Sequence, residues 1–126
     1  MKKVLSIALG AVMVLSVFAF PASAGDREIV RTGDCSARSD WKLKAKADDG
    51  GLEVEFEVDQ NVAGDTWKVR ILQDGERIFA GRRTTRGASG SFTVERMTSN
   101  NAGTDNFVAR ARNASTDEVC RGTLAF

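Results

Sequence analysis

Cations, carboxylates and two cysteines are the residues of this sequence that could do chemistry, because histidine is absent. Without histidine the chain has no Ser-His or Cys-His nucleophile pair, no histidine general base and no histidine ligand for zinc. Glu53, Glu55 and Glu57 alternate with apolar residues on one predicted strand, where they face lysines. The two carboxyl groups of a glycosidase flank the scissile bond of the substrate, whereas these glutamates lie in a row on one flat strand face. We therefore expect no catalytic residue, no cofactor and no metal ion, and a protein that is not an enzyme.

The first 24 residues have the pattern of a secretory signal peptide. Lys2 and Lys3 precede an apolar run from Val4 to Phe20, and residues 22–24 are the small residues Ala-Ser-Ala. A basic start, an apolar middle and a small-residue cleavage site are typical of such a signal. The alternative is an uncleaved membrane anchor, since a largely apolar run of 17 residues is near the lower limit for spanning a bilayer. We expect cleavage after residue 24 and a secreted, extracellular protein.

Export changes the expectation for the two cysteines. In an oxidising compartment, the only two cysteines of a chain predict a disulfide, here Cys35–Cys120. Such a bond closes a loop of 85 residues and would stabilise the fold by about 4.5 kcal/mol. Cleavage leaves 102 residues, which is enough for one domain with a single core. Those residues contain 16 basic and 17 acidic side chains, so a ligand preference would have to come from the distribution of charge.

Apolar and polar residues alternate at short intervals, and no segment after the signal shows a sustained helical period. On either side of Asp49-Gly50 the alternation places lysines on one strand and glutamates on the next. A tight turn at Asp49-Gly50 then pairs Lys44 with Glu55 and Leu43 with Phe56. Because the charged and the apolar patterns agree on one register, we predict a β-hairpin here.

Five more segments with the same alternation follow, each bounded by turn residues. The residues expected to face inward on them are Trp67, Val69, Ile71, Ile78, Ala80, Phe92, Val94, Phe107, Ala109, Ala111, Cys120, Leu124 and Phe126. Seven short strands in a chain of this length predict an all-β, antiparallel, two-sheet sandwich over residues 41–126. Residues 25–40 are expected to form an N-terminal extension that carries Cys35 and that the disulfide clamps to the last strand.

The layout of these strands resembles a fibronectin type III or related immunoglobulin-like module. The resemblance covers about residues 41–126: a first hairpin, a second hairpin that opens on Trp67, a central strand, and an aromatic-led strand that begins at Phe107. Phe56 and Phe107 stand where the family usually has a tryptophan and a tyrosine. The resemblance implies one sheet of the first, second and fifth strands, and another of the third, fourth, sixth and seventh. Such folds host many functions.

In this layout the outer face of the second sheet is strongly basic. Alternation places seven cations on it, namely Lys68, Arg70, Arg77, Arg83, Arg110, Arg112 and Arg121. The same rule places Leu72, Phe79 and Val108 among them and no acidic residue. One interpretation is a surface for an anionic cell-envelope polymer or an acidic protein, with nucleic acid less favoured. The other is a solvated face whose charges are screened by salt and by acidic loop residues.

The loops offer an alternative function. A rigid sandwich can present a loop to a secreted hydrolase and inhibit it. Candidate loops run from Asp59 to Asp65, from Thr84 to Gly90 and from Thr98 to Asn106. We rank a binding or structural module first, an inhibitor second and an enzyme third.

Two weaker signals also lie in loops and strand ends. Asp59, Asp65 and Asp105 could offer oxygen ligands to calcium, although the spacing of an EF-hand is absent. Asn113-Ala114-Ser115 matches the acceptor sequence for N-glycosylation, whose use depends on the host. Neither pattern assigns a function.

Overall fold

A computed structural model describes residues 27–126, which form two antiparallel sheets around one core. The eight strands are β1 (Glu28–Asp34), β2 (Asp40–Asp48), β3 (Gly51–Asp59), β4 (Thr66–Gln73), β5 (Glu76–Thr84), β6 (Ser91–Ser99), β7 (Asn106–Asn113) and β8 (Val119–Ala125). The first sheet has the order β1-β2-β3-β6 and the second β5-β4-β7-β8. The predicted signal peptide, residues 1–24, lies outside the described residues. Within residues 27–126, no helix is long and apolar enough to cross a membrane.

The hairpin of β2 and β3 has the predicted register. Lys44 pairs with Glu55 and Leu43 with Phe56. The turn between the strands places Asp49 and Gly50 at φ angles of 46° and 78°. Aspartate and glycine tolerate this left-handed conformation better than other residues, so the local sequence favours the turn. The division of the strands between the two sheets is also as predicted.

The core consists of the inward-facing residues of both sheets. Leu43 and Phe56 of the first sheet and Trp67 and Phe107 of the second are all buried in one continuous cluster. The ring of Trp67 packs across the interface against Phe92 of β6, with 6.1 Å between ring centroids. Burial of these apolar faces is the main favourable term that holds the two sheets together.

The expected count of seven strands is wrong, because residues 28–34 form an additional strand. β1 pairs with the free edge of β2, and Ile29 lies opposite Ala45 while Gly33 lies opposite Trp41. The strand has little apolar content of its own; it forms because the edge of β2 offers unpaired backbone groups. It lengthens the first sheet to four strands.

A β-bulge in β5 shifts the alternation of that strand. Ile71 pairs with Phe79 but the next residue, Leu72, pairs with Arg77, so Ile78 is an extra residue in the ladder. Beyond it, every side chain faces the opposite way from a regular strand. The predicted inward position of Ala80 and outward position of Phe79 are therefore wrong: Phe79 is buried and Ala80 is exposed.

The disulfide between Cys35 and Cys120 is present, and it joins the end of β1 to β8. Glu118 reinforces this connection: its carboxylate accepts hydrogen bonds from the backbone N–H groups of Ala37 and Ser39 and from the Ser39 hydroxyl. The segment between β1 and β2 is thus fixed to the start of β8 by a covalent bond and by a buried carboxylate. Together they attach the first strand of one sheet to the last strand of the other.

Buried polar networks close the two ends of the sandwich. At one end, Asp65 accepts hydrogen bonds from the side-chain amides of Gln60 and Asn113. At the other end, the buried carboxylate of Asp105 accepts one from Gln73. Within residues 27–126, every buried side-chain nitrogen and oxygen atom has a hydrogen-bond partner. These networks hold the loops that connect the strands without leaving a polar group unsatisfied.

Candidate functional site: the basic outer face of the second sheet

Two rows of cations run across the strands on the outer face of the second sheet. In the first row, Arg82 of β5 lies opposite Lys68 of β4, and Lys68 lies opposite Arg112 of β7. In the second row, Arg70, Arg110 and Arg121 lie opposite one another on β4, β7 and β8. Neighbouring strands are separated by about 4.8 Å, so each row brings three like charges close together.

A shallow groove of about 520 Å³ lies on this face. Its cationic lining residues are Lys68, Arg70, Arg77, Arg82, Arg110 and Arg112. The floor includes the methyl group of Ala80 and the backbone of Gly81 on β5. A side chain at position 81 would point the other way, toward the ring of Phe79, so the short side chain of Ala80 is what leaves the space open. We call this surface, the six cations with Ala80 and Gly81, the basic groove.

Few acidic groups neutralise the basic groove. Arg112 forms an ion pair of 2.6 Å with Asp117, a residue of the loop before β8. Within residues 27–126, the other five cations of the groove have no carboxylate within 4.0 Å. Like charges on directly opposed strand positions destabilise a sheet. The groove is therefore a surface on which a bound anion would relieve repulsion.

Of the seven predicted cations, five line the basic groove and two do not. Arg121 lies on the same face at the edge strand β8, next to Arg110. Arg83 lies on the opposite side of β5, where its guanidinium carbon is 4.9 Å from the centroid of the Phe79 ring. Arg82, which alternation predicts to face inward, takes the outward position instead. The bulge at Ile78 causes this exchange, since it reverses the facing of the residues that follow it.

The same bulge removes an aromatic ring from the outer face. Phe79 lies between the edge strands β5 and β6, and the guanidinium carbon of Arg96 is 5.0 Å from its ring centroid. Each of these cation–π contacts contributes about 0.5–1 kcal/mol at an exposed site. The basic groove is consequently lined by cations and small aliphatic groups, without an aromatic side chain.

The outer face of the first sheet has a different charge pattern. Lys44 and Glu55 form an ion pair of 2.9 Å, and this contact raises the pKa of Lys44. Glu53, Glu55 and Glu95 approach so closely that one carboxylate oxygen of each lies within 4.8 Å of the others. The proximity of Glu53 raises the pKa of Glu95. At the strand ends Asp40 lies opposite Asp34, which raises the pKa of Asp40.

The three candidate inhibitory loops lie at opposite ends of the sandwich. The first two meet at one end, where the Thr85 hydroxyl donates a 2.7 Å hydrogen bond to the carbonyl of Val62. The third lies at the other end, where the buried side chain of Asp105 receives a hydrogen bond from Gln73. Val62 is 54% exposed in the first loop. The backbone of this loop is held by hydrogen bonds, although it contains neither a proline nor a disulfide.

The possible calcium ligands are not brought together. Asp65 and Asp105 belong to opposite ends, and both already accept hydrogen bonds from amides. The pKa of Asp65 is lowered, mainly by the bond from Asn113. Asn113, the acceptor of the glycosylation sequence, is fully buried, and its amide oxygen also accepts hydrogen bonds from the backbone of the following turn. An enzyme that modifies Asn113 could not reach this amide in the folded protein.

Comparisons with protein-family models, with curated proteins and with solved structures give no match for this chain.

Proposed function

We propose that this protein is a secreted, non-catalytic module that binds an anionic polymer of the cell envelope through the basic groove. The observation that carries the proposal is the pair of cationic rows, in which Lys68, Arg70 and Arg110 lie on adjacent strands without an acidic partner among residues 27–126. A sheet that keeps like charges in direct opposition is less stable than one that alternates them. A polyanion would make this arrangement favourable by releasing its own counterions.

The shape of the groove favours a polymer over a small molecule. The groove is shallow and open, whereas small-ligand sites are concave and bury most of the ligand. It also lacks the aromatic platform on which single-stranded nucleic acids stack their bases, because Phe79 is turned toward the core. An acidic protein is the remaining alternative, and the binding experiment below includes it.

Secretion and the family assignment are part of this proposal. Export is supported by the sequence of residues 1–24 and by the disulfide Cys35–Cys120, a bond that persists in oxidising compartments. Assignment to the fibronectin type III or immunoglobulin-like group is supported by the orders β2-β3-β6 and β5-β4-β7-β8. β1 is then an addition to the edge of that layout.

The test is retention of the protein on an immobilised polyanion. We expect the wild type to bind at low salt and to elute as salt rises, because the interaction is electrostatic. The double variant Arg70→Glu, Arg110→Glu should not be retained. The control Arg31→Glu, Arg38→Glu makes the same change in net charge at exposed positions outside the groove and should elute like the wild type.

Equal elution of the groove variant and the wild type would refute the proposal. If the control loses retention as fully as the groove variant, the effect is one of net charge and the groove has no special role. A pull-down from native cell envelope, with an acidic protein as a competing ligand, then identifies the class of partner. If an acidic protein displaces the polymer when both are present at equal total negative charge, the partner is better assigned as an acidic protein.

The second candidate function is inhibition of a secreted hydrolase. This function is favoured by Val62, which is exposed and whose backbone carbonyl accepts a hydrogen bond from the Thr85 hydroxyl. A rigid loop with an apolar tip suits insertion into an enzyme pocket. Inhibition assays against secreted proteases and glycosidases test this function, with Val62→Asp as the variant that should abolish inhibition. Absence of inhibition by the wild type in every assay would remove this candidate.

A further inference from the structure

We propose that the basic groove contains a specific subsite for a phosphate group, centred on Ala80. This inference rests on the proposed function and adds the class of anion that the polymer carries. Ala80 is exposed on the outer face of β5, and β5 is the edge strand of its sheet. The methyl group of Ala80 leaves a space that neighbouring cations surround.

Three arginines border Ala80 on three sides. Arg77 and Arg82 flank it along β5 on the same face, and Arg70 lies directly opposite it on β4. The fourth side is the edge of the sheet, where β5 has no further strand paired to it and Ala80 is exposed. An anionic group can therefore enter from the edge and contact guanidinium groups that approach from three directions.

This arrangement suits a phosphate better than a carboxylate. A carboxylate has two oxygens in one plane, and a single guanidinium can satisfy both in a bidentate contact. A phosphate presents its oxygens in several directions and can accept hydrogen bonds from several guanidinium groups at once. Because Arg70, Arg77 and Arg82 have no carboxylate partner among residues 27–126, their donors are free for such a ligand.

The bulge at Ile78 creates this subsite. In a strand without the extra residue, Phe79 would face outward and Ala80 inward, and Arg82 would leave the groove. The one extra residue thus places a small side chain between two outward arginines. Strict alternation would place Ala80 inward, so the sequence alone does not predict this subsite.

The experiment compares polyphosphate with polyglutamate of equal charge number, at fixed low ionic strength, as ligands of the full, oxidised protein. We expect the wild type to bind polyphosphate about tenfold more tightly, the effect of one additional charge-assisted hydrogen bond. Ala80→Val fills the space without changing any charge and should remove this preference while leaving polyglutamate binding unchanged. Valine suits an exposed strand position, so the variant should fold.

Ala125→Val is the matched control, since Ala125 is also exposed on the second sheet but does not line the groove. It should keep the full preference for polyphosphate. Added inorganic phosphate should lower the apparent affinity for polyphosphate to that for polyglutamate. This result would show that the subsite takes a single phosphate group rather than a longer segment.

Three results would overturn the subsite: equal affinity of the wild type for both polymers, a preference that survives Ala80→Val, or no competition by inorganic phosphate. In each of these cases binding to both polymers would leave the proposed function intact. If the wild type binds neither polymer, the proposed function fails and the subsite fails with it. The two failures are therefore distinguishable in one set of measurements.

Discussion

Gly122 of β8 lies against the indole ring of Trp41 in β2, so that the two sheets touch at this point. A Cβ atom at position 122 would be 2.6 Å from Cζ3 of the indole. Gly33 of β1 has the same relationship to the other edge of the ring, where a Cβ atom would be 2.6 Å from Cζ2. Both glycines are therefore required by packing, since neither has a positive φ angle. The ring of Trp41 fills the side of the sandwich where β1 and β8 approach each other.

The first prediction concerns this contact. Gly122→Ala should lower the free energy of unfolding by about 1–3 kcal/mol, because the added methyl group forces the ring or the strand to move. Urea denaturation followed by circular dichroism measures the change. In the background of Trp41→Leu, the same substitution should cost less, and a double-mutant cycle gives the coupling. Equal costs in both backgrounds would show that Trp41 does not cause the restriction.

The second prediction compares two adjacent arginines of β5. Arg82→Glu should weaken retention on a polyanion, since Arg82 lines the basic groove. Arg83→Glu makes the same change in charge one residue later, but its side chain lies over Phe79 and should have little effect on retention. It should instead destabilise the fold by about 0.5–1 kcal/mol through loss of the cation–π contact. Salt elution and urea denaturation of both variants separate the effects, and the reverse order of retention would contradict the facing assigned to β5.

The third prediction follows from the lowered pKa of Asp65. Hydrogen bonds from Asn113 and Gln60 favour the ionised carboxylate in the folded state, so the pKa of Asp65 lies below its ordinary value of 3.8. A carboxyl group whose pKa is lower in the folded than in the unfolded state stabilises the fold at pH values above its unfolded-state pKa. This stabilisation is lost as the pH falls through the folded-state pKa. Stability of the wild type should thus decline below about pH 4, and Asp65→Asn should decline less steeply. Denaturation midpoints between neutral and acidic pH measure the slopes; parallel curves would rule out a contribution from Asp65.

The fourth prediction has the opposite sign. Glu53 raises the pKa of Glu95, so the ionised form of Glu95 is unfavourable in the folded protein. Glu95→Gln should therefore stabilise the protein at neutral pH, and the gain should disappear at acidic pH, where the wild-type carboxyl group is protonated in both states. The same denaturation series measures this difference. Thr93→Gln introduces the same side chain at another exposed position of β6 and serves as control.

The parts of the fold that were predictable are those in which two patterns constrain the same strand. In β2 and β3 the alternation of charges and the alternation of apolar residues both require Lys44 opposite Glu55. In β5 the consecutive residues Ile78, Phe79 and Ala80 are all apolar, so alternation does not define which of them faces inward. The bulge that decides this depends on how β5 pairs with β4, which local sequence does not specify.

β1 was missed for a related reason. Its sequence contains one apolar pair, Ile29-Val30, among polar residues and a glycine, and this resembles an extended terminus. The strand forms through backbone pairing with β2 and through the fixed position of Cys35. Of the candidate site, the cationic character of the face was predictable from alternation in β4, β7 and β8. Which of two adjacent arginines of β5 joins this face, Arg82 or Arg83, could not be predicted, because it depends on the bulge at Ile78.

The disulfide also determines how the domain would respond to mechanical force. Cys35 lies just after the first strand and Cys120 lies within the last, so a load applied to the two ends of the domain passes directly through the bond. Only β1 and the part of β8 that follows Cys120 can be peeled away under tension. The strands that carry the basic groove, β4, β5 and β7, lie between the two cysteines, so the covalent path of the load bypasses them. A ligand held in the groove would therefore stay bound while the termini are pulled.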